Sequence, residues 1–225
     1  MATSVIFEET VEIPFVRSLA DFRAWALSDQ FPERGRIDYL AGRIEVDMSP
    51  EDLFCHGTLK VELVAALSEL VKRAASGYLF SDRTRISSPD ADLSVEPDIV
   101  FISEASLDEG RVRLVAKSGG EPDRFVEVEG GPDLIVEITS DASVAKDTRR
   151  LPAAYARAGV REFWLVDARR EQLLFQIHHL EADRYVPAPV DAEGFQVSRV
   201  MGVRFRLHRE RNPHGRWTFD LQRRE

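Results

Sequence analysis

Glu137 is the residue of this sequence that most needs a chemical explanation. It stands inside the short apolar run Leu134 to Ile138, between Gly131-Pro132-Asp133 and the polar stretch that opens at Thr139. Read as a strand, the run sends Leu134, Val136 and Ile138 one way and Asp133, Ile135 and Glu137 the other. Both directions are mainly apolar, as in a central strand of a parallel sheet. An ionised carboxylate buried there without a partner costs several kcal/mol. It can pair with an arginine (Arg149, Arg150 and Arg161 follow in the sequence), take up a proton, or bind a divalent cation. Asp98 stands in a similar place, directly after Pro97 and at the head of the apolar run Ile99 to Ile102. If the two strands are neighbours, Asp98 and Glu137 converge on one ion. Hard oxygen ligands without a Cys or His cage favour Mg²⁺ or Mn²⁺. Such an ion polarises a phosphoryl oxygen and lowers the pKa of a bound water. A lysine or histidine nearby would orient the water or neutralise developing charge, and Lys146 and His56 are the candidates.

The elements that would position these groups are legible in order. Val5, Phe7, Val11 and Ile13 alternate weakly, as an arm or edge strand does. Ser18 is an N-cap for a helix over Leu19 to Leu27. Ile37 and Tyr39, then Ile44 and Val46, straddle Leu40-Ala41-Gly42 as a β-hairpin. The longest helix runs from Asp52 to Ala75, with Leu59, Leu63, Leu67 and Leu70 on one face, His56 in its first turn on the side of Lys60, and Gly77 stopping it. Tyr78 to Ser87 reads as one strand and Pro97 to Ile102 as another. The segment 104–131 reads as an inserted loop or hairpin with a solvated, charged face. Gly131 to Asp167 reads as strand, polar loop, helix, strand, which should be a right-handed parallel crossover. Leu173 to Val186 reads as an antiparallel hairpin. Further on, Val203, Phe205 and Leu207 alternate with Arg204, Arg206 and His208. The order predicts an α/β (α+β) fold: a central mixed β-sheet flanked by helices, in one domain over 1–225, with an N-terminal arm and helix (1–30) and a C-terminal β extension (172–225).

Composition narrows the setting. The 225 residues are 44% hydrophobic, enough for a real core. The net charge is −9, so no global basic field draws the chain onto nucleic acid; a local groove and bridging cations remain compatible with that charge. Cys55 is the single cysteine, which excludes an internal disulfide and a cysteine zinc site and fits a reducing, cytoplasmic setting. The N-terminal stretch has no signal-peptide pattern, and no window is long and apolar enough to span a membrane.

With these residues in place, the sequence resembles the Uma2 family of endonucleases, a branch of the PD-(D/E)xK nuclease superfamily. The likeness is carried by Asp38-Tyr39-Leu40-Ala41-Gly42 with Met48-Ser49-Pro50, by His56, and by Glu96-Pro97-Asp98. It continues through Gly131 to Ile138 with Ser140, then Tyr155, Ala158-Gly159-Val160, Glu162 and Trp164-Leu165-Val166-Asp167. The resemblance implies a restriction-endonuclease-like core, Asp98 and Glu137 as metal ligands, Mg²⁺ or Mn²⁺ as cofactor, and DNA as the substrate cut by an activated water. Cutting both strands needs two sites, which a homodimer would supply. The sequence departs from the pattern at the lysine: Thr139 holds the position two after the second acid, and Leu151 the alternative position on the next helix. Lys146, with Arg149 and Arg150 behind it, is the substitute, and Pro152 is expected to disturb the helix there. A catalytically impaired nuclease-fold protein that binds nucleic acid or a protein partner is the alternative; a scaffold whose carboxylates form ion pairs only is a third.

Overall fold

The structure is a computed structural model that describes residues 12–32, 35–120 and 123–225. The expectation for Val5, Phe7 and Val11 lies outside the described residues. Helix α1 (Leu19–Ala26) starts where Ser18 accepts the Asp21 N–H, as an N-cap does. The hairpin follows as β1 (Arg36–Leu40) and β2 (Arg43–Asp47). The long helix is in two parts. A wide π-helical turn over Leu53–Thr58, capped by the Asp52 carboxylate, leads into α2 (Leu59–Ala74). Its stop is Ala75, in the left-handed conformation at φ 46°, rather than Gly77. Gly77 serves another purpose: at φ 152° it opens β3 (Gly77–Ser81), and a Cβ there would stand 2.0 Å from the Ile102 carbonyl oxygen of the neighbouring strand.

The stretch Tyr78 to Ser87 is two strands, not one. The chain turns at Asp82 and Arg83, both at positive φ, and β4 (Arg85–Ser88) runs in a different sheet. There follow β5 (Leu93–Val95), β6 (Ile99–Ser103), a short helix α3 (Glu104–Asp108), β7 (Val112–Ala116), β8 (Phe125–Gly130) and β9 (Leu134–Ile138). A second π-helical turn over Lys146–Arg150 leads into α4 (Leu151–Arg157), then β10 (Glu162–Asp167), β11 (Leu174–Glu181) and β12 (Arg184–Pro187). The C-terminal part forms β13 (Gln196–Ser198), β14 (Val203–Arg211) and β15 (Trp217–Arg224). Pro152 does not end the helical path, but the turn directly before it, Lys146–Arg150, is π-helical rather than α-helical, a local disturbance of the kind expected there.

The fold is mixed α+β. The central sheet has the order β12-β11-β10-β9-β6-β3, with β9 and β10 parallel and its other pairs antiparallel. A second six-stranded sheet, β2-β1-β5-β4-β8-β7, faces it, and β13-β14-β15 form a small third sheet. The alternation along β9 decides what lies on each side. Leu134, Val136 and Ile138 enter a core with α2 and the third sheet, where Trp164 and Phe205 pack edge to face. Ile135 enters a second core, shared with Phe163, Tyr155 and the second sheet. Each such fully buried side chain contributes about 1.5–3 kcal/mol. The segment 104–131 is not a solvated face throughout: Glu127 of β8 is 2% exposed and is held by Arg23 and Ser87.

Candidate active site

Register brings the two sequence-predicted acids together. Because β6 pairs antiparallel with β9, Ile99 faces Val136; Asp98, one residue before, and Glu137, one residue after, therefore stand side by side at one end of the sheet. Asp98 is 4% exposed, and its Oδ2 accepts the Ile138 N–H at 2.7 Å. Glu137 is 1% exposed and turned toward the second sheet, as the strand alternation predicts. Its carboxylate accepts a hydrogen bond from the Tyr155 hydroxyl, and its nearest cation is Arg36 at 3.8 Å. None of the three arginines considered from the sequence supplies a salt bridge to it among the described residues. Arg150 pairs with Glu45 and Arg161 with Asp133.

The hairpin and the two π-helical turns supply the rest. Asp38 of β1 is buried; it accepts hydrogen bonds from Lys146 and from Arg36 Nε (3.1 Å), while its Oδ1 takes the Glu96 N–H at 3.0 Å. Asp147 is buried beside them and bonded to Ser143. From the other side, Lys60 on α2 reaches Asp98 Oδ1 at 3.2 Å, Glu51 at 3.0 Å and Asp82 at 2.6 Å. His56 Nε2 lies 3.5 Å from Asp98 Oδ1 and its Nδ1 3.1 Å from Glu51 Oε2. A cleft of about 690 Å³ opens onto this group, lined by Arg36, Asp38, His56, Asp98 and Lys146 among others. Lys60, Asp38 and Asp147 join the site without having been singled out as site residues from the sequence. The signal for Lys60 was its spacing of four residues from His56, which puts both on one helix face. The motif-lysine positions stay apolar or neutral: Leu151 is fully buried in the core, and Thr139 is buried with its Oγ1 lacking a hydrogen-bond partner.

The charges are unequally satisfied. Burial pushes the Glu137 carboxyl up to about 8, with Asp147 and Asp98 adding repulsion that Arg36 only partly offsets. Burial likewise raises Asp147 to about 6. Asp98 goes the other way, to about 2: burial opposes ionisation, but His56 and Lys60 outweigh it. Burial opposes a charge on Lys60, yet its carboxylate neighbours raise its pKa, so it stays an ammonium. A buried group of carboxylates that its own cations hold incompletely is what a divalent ion would complete. Glu51, His56 and Asp98 also offer three donor atoms within 4.8 Å of one another.

The described residues thus form an α+β fold with a carboxylate cluster at the end of two central strands, flanked by Lys60 and Lys146 and opening to a cleft. The chain belongs to the Uma2 family, whose model, described as "Putative restriction endonuclease", matches residues 19–210. Among solved structures it is similar to one described as a "putative nuclease belonging to DUF820" from Anabaena variabilis, with 22% identity over 80% of this chain and 94% of that chain and a TM-score of 0.48. No curated protein matches the sequence. Among the described residues, no helix is long and apolar enough to cross a membrane.

Proposed function

We propose that this protein is a divalent-metal-dependent endonuclease that hydrolyses phosphodiester bonds in DNA. The observation that carries the reading is the pairing of Asp98 and Glu137 across β6 and β9, both buried, with Glu137 pushed up to about 8 by burial and by the acids beside it. Bound Mg²⁺ or Mn²⁺ would supply Lewis acidity and a water of lowered pKa. Asp98, already ionised, and Glu137, on losing its proton, would hold the ion. The Tyr155 hydroxyl holds the Glu137 carboxylate, with Arg36 as the nearest cation at 3.8 Å. Lys146 lines the cleft, although its ammonium is spent on Asp38. Lys60, itself paired with Asp98, Glu51 and Asp82, is the second cation beside the acids and joins it as a candidate for stabilising charge on the phosphate. A homodimer would bring two such sites to the two strands of a duplex.

The test is cleavage of supercoiled plasmid with Mn²⁺ or Mg²⁺. Nicking is expected with the wild type and is expected to stop with chelator; in Asp98→Ala and Glu137→Ala it is expected to fall by about 10² or more. A wild-type protein that binds the metal but cuts no DNA form would leave the second reading, a nuclease-fold binding protein. That reading is favoured by one observation, the leucine and threonine at the motif-lysine positions.

A further inference from the structure

We infer that His56 is a nitrogen ligand of the cation site, sharing the ion with Asp98, and that Glu51 holds the second ring nitrogen of His56. The inference rests on the reading of Asp98 as a metal ligand and adds a donor of a different chemical kind. It implies an imidazole-tolerant first-row ion such as Mn²⁺ in preference to Mg²⁺.

The geometry points to a shared ion more than to a direct pair. His56 Nε2 and Asp98 Oδ1 are 3.5 Å apart, longer than a good N–H···O bond. Two donors each about 2.1 Å from a common ion, at angles between octahedral and tetrahedral, stand about 3.0–3.5 Å apart. The imidazole is 6% exposed, lines the cleft, and has an Nδ1 without an aligned hydrogen bond. That nitrogen faces Glu51 Oε2 at 3.1 Å. A ligating histidine commonly gives its other N–H to a carboxylate, which fixes the tautomer. The Glu51 side chain is 54% exposed and free to turn into line.

The backbone beneath is firmly set. Asp52 caps the π-helical turn through the Phe54 N–H, and its carbonyl accepts the His56 N–H at 3.2 Å. The plain alternative is that His56 serves only as a direct partner of Asp98. At 3.5 Å it stands beyond good hydrogen-bond reach of Asp98 Oδ1, whereas Lys60 holds the same oxygen at 3.2 Å. Lys60 has Asp82 at 2.6 Å to turn to when an ion takes Asp98 Oδ1.

The test needs no turnover. Metal-free full-length protein is titrated with Mn²⁺ and with Mg²⁺ by calorimetry, and the Mn²⁺ form is examined by pulsed EPR for nitrogen modulation. Expected is one imidazole nitrogen on bound Mn²⁺, with a modulation that changes when histidine is ¹⁵N-labelled. His56→Gln, close to isosteric, should lose that modulation and bind Mn²⁺ about tenfold or more weakly. Mg²⁺ affinity should change by less than about threefold, because magnesium prefers oxygen. Glu51→Gln should keep the modulation and weaken Mn²⁺ less. If Mn²⁺ binds, Asp98→Asn abolishes the binding, and no histidine nitrogen is seen, the ligand role of His56 is overturned while the metal reading stands. If neither ion binds the wild type, both are overturned. Labelling the wild type keeps the result independent of whether a variant folds.

Discussion

Replacing Glu137 by Gln should make the metal-free protein more stable at neutral and alkaline pH, not less. Glu137 has an ordinary value of 4.5 and is pushed up to about 8 by burial and by the charges of Asp147 and Asp98. The folded state therefore holds its proton more tightly than the unfolded chain. Below pH 4.5 the carboxyl is neutral in both states and nothing is lost. Between 4.5 and about 8 the unfolded chain releases the proton while the folded protein keeps it, so stability falls by about 1.4 kcal/mol per pH unit. The accumulated loss is about 3 kcal/mol at pH 7 and about 4 kcal/mol at pH 8, approaching about 5 kcal/mol above that. Gln cannot ionise, yet its carbonyl can still accept from the Tyr155 hydroxyl. The assay is urea unfolding of both proteins in chelator at pH 6.5, 7, 7.5 and 8. Asp147 titrates near 6, mostly below this window, and His56 is common to both proteins, so their difference isolates position 137. The gap should widen steadily with pH in favour of Glu137→Gln. Parallel curves would refute the claim that Glu137 is a strained, proton-holding acid.

Metal binding by the wild type should release protons, because an ion must displace the one on Glu137. Its apparent affinity should rise with pH up to about 8 and level off beyond, as calorimetry in buffers of different ionisation heat would show. Lys146→Met leaves buried Asp38 with Arg36 as its remaining close cation and should cost about 3 kcal/mol by urea denaturation. Lys60→Met should lower plasmid cleavage about tenfold or more and Lys60→Arg should restore part of it; full activity in Lys60→Met would remove that residue from the reading.

The local pieces of the fold were legible because their signals are local. Ser18 caps α1, Leu59, Leu63 and Leu67 mark one helix face, and the apolar runs around Glu137 and Trp164 mark a parallel crossover, all within a few residues of one another. The break at Asp82-Arg83 was missed because it carries neither Gly nor Pro; two non-glycine residues at positive φ make the turn. The same miss hid the second sheet, since β4 leaves β3 there to pair with β5 and β8. The end of α2 was misplaced for a related reason. Gly77 looked like a helix stop, but its lack of a Cβ is needed for the close approach of β3 to Ile102.

The candidate site divides the same way. By itself the sequence determined that Glu137 is buried, that Asp98 opens a similar strand, and that both need positive charge, because strand alternation and the cost of burying a carboxylate are properties of a few consecutive residues. Tertiary structure alone decided which charges meet them. Arg36, rather than Arg149, Arg150 or Arg161, faces Glu137, and Lys60 with His56 faces Asp98. Lys146 turns to Asp38, a residue from the opposite end of the chain. Those pairings depend on how two sheets and two π-helical turns close around one end of β6 and β9, and chain separation says nothing about that closure. The electrostatic imbalance that pushes Glu137 up and Asp98 down appears only once the charges are in place, because it depends on distances of a few ångströms between groups far apart in sequence.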